Sequence, residues 1–171
     1  MKRYRTIASA TVTAIIIMLS ACKNTANITP PDLSGDIEIS GTISCSSVKA
    51  EANISRTDGV WTICYTAPDS ISGMEIITDG TNRKINYRGI SFEYKSEDVP
   101  FITAADYLTA VIDSTQDKEN ISLSQNGRET VITGSVLSSG YVITVDDKGN
   151  ITSLSAGDYK FTAVKDDKKE S

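Results

Sequence analysis

The stretch Asp58-Gly-Val-Trp-Thr-Ile-Cys-Tyr65 sets the fold of this chain. Asp58-Gly59 is typical of a tight hairpin turn, and after it Trp61, Ile63 and Tyr65 recur at every second position. Alternation with a period of two predicts a strand that presents one face to a core. Because the turn directly precedes this strand, we expect the strand to pair antiparallel with the one before it.

Short alternating segments of this kind, separated by glycine-containing turns, continue on both sides of the opening stretch. One segment differs, because Ile102–Ser114 carries an apolar stripe at helical spacing, with Thr103 and Asp106 as an N-terminal cap. We therefore predict a mainly β (α+β) fold: a curled antiparallel sheet or half-barrel of about ten strands, covered by one helix over about residues 103–114. A sheet this wide must curl over the helix or close on itself to bury its inner face.

The apolar phase of the sheet shifts near its sixth strand. Ile85 and Tyr87 form the apolar set before Gly89, and Ile90 and Phe92 form it afterwards. A phase shift at a glycine predicts a bulge or a sharp bend at that residue.

The N-terminal segment has the layout of a secretory signal, with Lys2, Arg3 and Arg5 followed by an uncharged apolar stretch. Its end, Leu19-Ser20-Ala21-Cys22, resembles the bacterial lipobox. The resemblance implies cleavage before Cys22 and a diacylglycerol on its thiol, with acyl chains such as palmitate as the membrane anchor. We therefore expect a bacterial cell-envelope lipoprotein that is extracytoplasmic and held at the cell membrane by the lipid on Cys22.

Four segments follow from this layout. Residues 1–21 are the predicted lipoprotein signal peptide, and residues 22–34 are the lipidated cysteine with a polar, proline-containing tether. Residues 35–164 form the predicted half-barrel-like domain, and residues 165–171 form a charged tail.

Composition excludes several classes of function. The 171-residue chain has a net charge of −5, which is unsuited to binding nucleic acid. It has no histidine, so serine–histidine and cysteine–histidine nucleophile systems and histidine-based zinc sites are excluded. Asp106 and Asp113 are seven residues apart on the predicted helix, and the sequence offers no general base to act with them. We therefore expect both on a solvent-exposed face of the helix. We predict a non-enzymatic protein with no cofactor and no metal site.

Two cysteines remain after Cys22, and an even pair outside the cytoplasm favours a disulfide. Cys45 follows the phase of the inward-facing apolar residues of its strand, whereas Cys64 is out of phase with Trp61 and Ile63. If both apolar sets face inward, the two thiols point to opposite faces and cannot be joined, unless a bulge near Ser46 reverses one of them. The sequence leaves both a Cys45–Cys64 disulfide and two free thiols open.

The region 58–94 resembles the half-barrel lipid-carrier superfamily, which includes the periplasmic lipoprotein carrier (Lol) proteins and small lipoproteins of Gram-positive bacteria. The resemblance lies in the order of Val60-Trp61-Thr62-Ile63, Ala67-Pro68, Gly73-Met74, Asp79-Gly80, Tyr87-Arg88-Gly89-Ile90 and Phe92. It implies an unclosed antiparallel barrel with a helical lid over an apolar cavity that holds acyl chains. The carriers have several lid helices and no anchor of their own, so we expect a fixed lipoprotein here instead of a shuttling carrier.

Our leading expectation is that the concave face of the sheet binds an apolar ligand, either a lipid or an acylated peptide. The side chains expected to face it are Trp61, Ile63, Tyr65, Met74, Ile76, Ile85, Tyr87, Phe92, Tyr107, Leu108 and Val111. The alternative is a non-enzymatic interaction module with a filled core, which binds another envelope protein through exposed strands or loops. A void of roughly several hundred Å³ inside the sheet favours the first, and a solid core favours the second.

Overall fold

The computed structural model describes residues 28–98, 103–136 and 138–164. The predicted signal peptide, Cys22 and the charged tail 165–171 lie outside these residues. Among the residues described, no helix is both long and apolar enough to cross a membrane.

The described residues form eleven strands and one helix, and the strands make a single sheet. The elements are, in chain order, β1 (Ile37–Cys45), β2 (Val48–Thr57), β3 (Val60–Ala67), β4 (Glu75–Thr78), β5 (Asn82–Tyr87), β6 (Ile90–Lys95), α1 (Ala104–Ser114), β7 (Ser122–Asn126), β8 (Glu129–Val136), β9 (Ser139–Val145), β10 (Ile151–Ala156) and β11 (Tyr159–Ala163).

The sheet is open and antiparallel, with the strand order β6-β5-β4-β3-β2-β1-β11-β10-β9-β8-β7. Two meanders, β1–β6 and β7–β11, meet where β1 pairs with β11, so the first and last strands lie in the middle. β6 and β7 are the edges. The predicted class, mainly β with an antiparallel sheet and one helix, is confirmed for the described residues, and the sheet has eleven strands where about ten were expected.

The helix begins as its sequence predicts. Thr103 is the N-cap, and its hydroxyl accepts a hydrogen bond from the Asp106 amide at 3.2 Å. The predicted stripe packs on the sheet, since Leu108, Val111 and Ile112 are almost fully buried. The helix contacts β1, β3, β8, β10 and β11, strands from both halves of the sheet, which fits a curled sheet.

The predicted bend at Gly89 is wrong. Arg88 and Gly89 are the two loop residues of the β5–β6 hairpin, with φ of 50° and 79°, which is the geometry of a tight turn. Ile85 pairs with Phe92 across the two strands, so the same face continues through the turn. The apparent phase shift arises because the chain reverses at a hairpin. Alternation of apolar residues alone does not distinguish such a reversal from a bend within one strand.

Two glycines within the sheet have no space for a side chain. A Cβ on Gly41 in β1 would lie 2.3 Å from the Thr162 carbonyl oxygen and 2.7 Å from the Phe161 ring. A Cβ on Gly134 in β8 would lie 2.5 Å from the hydroxyl of Tyr141, its cross-strand partner. Glycine is required at both positions because an aromatic ring lies across the strand there.

Candidate functional site

The register places all eight predicted sheet residues on one face, the face that carries the helix. Ile63 pairs with Ile76, Ile76 with Ile85, and Ile85 with Phe92 across four successive strands. Trp61 and Tyr65 lie two residues from Ile63 along β3. The remaining two continue the same rows, since Met74 directly precedes β4 and Tyr87 is the last residue of β5. We call this surface the concave face.

The helix covers most of that face. Seven of the eleven predicted ligand-facing residues are at most 9% exposed and pack between helix and sheet: Trp61, Ile63, Tyr65, Ile76, Tyr107, Leu108 and Val111. Met74, Ile85 and Tyr87 are half-buried, and Phe92 is 63% exposed. The centre of the concave face is therefore a solid core, and its accessible part lies toward β6.

An ion pair fixes the helix start to the sheet. Arg83 Nε of β5 lies 3.1 Å from Asp106 Oδ1, and both side chains are almost completely buried. Tyr65 and Tyr94 adjoin this pair, and burial is the main cause that raises the pKa of each phenol, with the Asp106 charge acting in the same direction. The expectation that Asp106 faces solvent is wrong, because its carboxylate is an internal partner for an arginine.

A second arginine holds the other end of the helix. Arg56 of β2 is 3% exposed, donates to Asp113 Oδ1 at 2.7 Å and lies over the Trp61 ring at 4.9 Å. The Trp61 indole nitrogen donates to Asp113 Oδ2 at 2.9 Å. Asp113 thus also has partners, although 45% of its side chain is exposed. We call Arg56, Trp61 and Asp113 the Arg56 clamp.

The Arg56 clamp also binds the segment before the sheet. The guanidinium donates to the Leu33 carbonyl and, through Nη2 at 2.6 Å, to the Gly35 carbonyl. Leu33 itself is buried at 6% exposure and belongs to the core. The folded part therefore includes Leu33, which the sequence analysis assigned to the tether 22–34.

An open apolar cavity remains at the end of the concave face beside the helix start. Its volume is about 250 Å³, and its wall is almost entirely apolar. It lies between the ends of β1–β3 and the first residues of the helix, and is lined by Ile43, Cys45, Val48, Ala50, Tyr65, Ile71, Met74, Thr103 and Ala104.

The two remaining cysteines are free thiols, so the disulfide considered from the sequence is not formed. Cys45 lines the cavity on the concave face, whereas Cys64 lies on the other face and lines, with Glu75 and Asn86, a depression of about 320 Å³. There the Cys64 Sγ lies 3.9 Å from Glu75 Oε1, and burial first, then the Glu75 charge, raises the pKa of the thiol. A raised pKa disfavours the nucleophilic thiolate. The two thiols therefore point to opposite faces of the sheet, as the alternation in the sequence indicates.

The open edge of the sheet carries exposed apolar side chains. Ile90 and Phe92 of β6 are 58% and 63% exposed, and they pair with the half-buried Tyr87 and Ile85 of β5. We call these four residues the edge patch. No described strand pairs with the outer side of β6. Within the described residues, no group of three or more cysteine, aspartate or glutamate side chains is placed to hold a metal ion.

An open antiparallel sheet with one helix on its concave face defines the architecture of the described domain. No family model and no curated protein matches the chain. Among solved structures, it is similar to a chain in the complex of the CwlD amidase from Clostridioides difficile with the GerS lipoprotein, at 11% identity and a TM-score of 0.45. That similarity covers 92% of this chain and 90% of the other.

Proposed function

We propose that this protein is an extracytoplasmic bacterial lipoprotein, anchored through Cys22, whose domain is a protein-interaction module with a filled core. The single observation that carries this is the distribution of apolar surface. Leu108, Val111 and Ile63 are at most 1% exposed beneath the helix, while Ile90 and Phe92 stand open at the sheet edge. Exposed apolar side chains beside unpaired strand edges are typical of sites that take another protein strand.

We assign the sheet to the half-barrel type as part of the same proposal. The eleven-residue helix is about 16 Å long, and yet it contacts both β3 and β8. In a flat sheet those strands, six spacings apart, would be about 29 Å from one another. Curling around the helix brings both within reach.

Crosslinking in the membrane tests the interaction. A photo-reactive phenylalanine analogue at Phe92 of the full-length protein is expected to give a discrete adduct of defined mass. The matched control is the same analogue at Val142 of β9, which is also apolar and exposed, at 39%, but lies on an interior strand. Equal adducts at both positions, or none at Phe92, would contradict the proposal.

Anchoring is tested separately through Cys22. Cys22→Ser is expected to abolish incorporation of labelled fatty acid, because the serine hydroxyl cannot form the thioether, and to leave uncleaved precursor or released protein. Cys45→Ser serves as the control and should retain the label. Fatty-acid label on the Cys22→Ser protein would contradict the lipobox interpretation.

An apolar ligand is the second candidate function, and the cavity beside the helix start is the observation that favours it. Its 250 Å³ falls just below the usual range of ligand sites, about 300–1,000 Å³. Its apolar lining suits an acyl chain of a lipid or acylated peptide. A lipid that stays bound to the purified full-length protein in native mass spectrometry, beyond the covalent lipid on Cys22, would support this candidate.

A further inference from the structure

The outer side of β6 presents a regular set of backbone groups. In a two-residue hairpin the residues flanking the loop hydrogen-bond to each other, so Tyr87 bonds to Ile90 and every second pair repeats this. The Ser96 amide, donating to the Thr81 carbonyl at 2.8 Å, continues that alternation. Ser91 and Glu93 therefore direct their amides and carbonyls away from β5, toward the open edge. Lys95 directs its amide the same way, and its carbonyl also accepts a hydrogen bond from the Asp98 amide at 3.1 Å.

The side chains of β6 are divided between the two faces. Ile90, Phe92 and Tyr94 follow the concave face, and Glu93 and Lys95 lie on the other face, two residues apart. Glu93 is exposed, and Lys95 is 66% exposed with a contact of 3.6 Å to the exposed Glu97. An exposed ion pair of that kind contributes little to stability, so Lys95 can exchange its partner at small cost.

We propose that β6 pairs with β6 of a second copy of this chain, antiparallel and centred on Tyr94. This inference rests on the proposed function, because it names the partner of the exposed edge strand β6. In this register Glu93 of each copy lies opposite Lys95 of the other, so the two-fold symmetry forms two oppositely charged cross-strand pairs. Tyr94 lies opposite Tyr94 of the second copy, and Phe92 packs diagonally against it.

The charge pattern disfavours a neighbouring register. Centring the pair on Glu93 would place the two glutamates opposite each other, which is unfavourable. The other edge strand, β7, has the sequence Ser-Leu-Ser-Gln-Asn with no charged residue, so it offers nothing comparable to fix a register. Charges on an edge strand also serve to prevent pairing, and that simpler role predicts that exchanging them has no effect on association.

The pairing is compatible with a membrane anchor on each copy. Because the two β6 strands run antiparallel, the second copy is rotated by 180° relative to the first. The two Leu33 residues therefore lie at opposite ends of the joined sheet. Tethers of eleven residues reach at most roughly 40 Å, which exceeds the roughly 30 Å length of a strand, so both copies can be anchored at once.

Charge exchange tests the pairing in the full-length, membrane-anchored protein. With the photo-reactive analogue at Phe92, we expect an adduct of twice the protein mass. Glu93→Lys and Lys95→Glu, each alone, should lower its yield roughly fivefold or more, because both cross-strand pairs become repulsive. The double exchange, Glu93→Lys with Lys95→Glu, should restore it. Co-expression of the two single variants under different tags should give mixed adducts.

Each outcome separates this inference from the proposed function. A double-mass adduct that is unaffected by the single exchanges overturns the Glu93–Lys95 register. Adducts at Phe92 only with other proteins overturn self-pairing and leave the interaction module standing. No adduct beyond that of the Val142 control overturns both. Equal thermal unfolding of the variants, all at exposed positions, controls for effects on folding.

Discussion

Replacing Arg83 with methionine is expected to lower the free energy of unfolding by about 3–5 kcal/mol. The methionine fills much of the space of the arginine stem but leaves the Asp106 carboxylate, 1% exposed, without the guanidinium 3.1 Å away. A buried charge without its partner carries its desolvation cost uncompensated. The measurement is urea unfolding followed by fluorescence of Trp61, the only tryptophan of the chain.

Two controls make this result specific. Lys84→Met removes a positive charge from the neighbouring position of β5, whose side chain lies on the other face, and should cost well under 1 kcal/mol. Adding Asp106→Asn to Arg83→Met should recover part of the loss, since a neutral amide costs less to bury. A loss for Arg83→Met as small as that for Lys84→Met would show that the ion pair is in contact with water.

Leu108→Ala is expected to cost about 2–5 kcal/mol, the range for a leucine removed from solid core. Leu108 is 1% exposed and lies on the helix face that covers the sheet. A residue lining an open ligand cavity would lose fewer contacts and cost less. The same unfolding measurement therefore tests whether the centre of the concave face is filled. The cavity beside the helix start, which Leu108 does not line, is tested by fatty-acid binding.

Leu123→Ala is the matched control, because Leu123 of the edge strand β7 is only half-buried. We expect a loss for it below about 1.5 kcal/mol. We also expect no binding of a fluorescent fatty acid to the unmodified protein. A loss for Leu108→Ala no greater than that for Leu123→Ala would contradict the filled core, and fatty-acid binding to the unmodified protein would support the ligand site.

Local patterns in the sequence contain most of the fold. Alternation identifies which residues of β3 share a face, because side chains of a strand alternate strictly. The helix is equally visible, since Thr103 and the stripe through Leu108 and Val111 follow helical spacing. The pairing of these strands follows from short turns such as Asp58-Gly59, which permit only antiparallel neighbours.

Burial within the concave face depends on strand order, which alternation does not reveal. Ile63 and Phe92 occupy equivalent positions in their strands, yet Ile63 is 0% exposed under the helix and Phe92 is 63% exposed at the edge. The ion pairs were missed for a related reason. Arg83 and Asp106 are far apart in the sequence, and only the fold brings them together. The sequence did contain one signal for a buried charge. Arg83 is in phase with the apolar residue Ile85, so its side chain lies on the same face of the strand.

The Arg56 clamp determines how the domain carries mechanical load. Tension on the segment before Leu33 is transmitted to the Leu33 and Gly35 carbonyls, which accept hydrogen bonds from the Arg56 guanidinium. The same guanidinium also contacts Asp113 and the Trp61 ring. The force is thereby divided between a helix and two strands before it reaches β1. Because β1 lies between β2 and β11, it cannot be peeled off like an edge strand. Extraction would have to shear two hydrogen-bonded ladders at once, which makes this end of the molecule suited to withstand pulling.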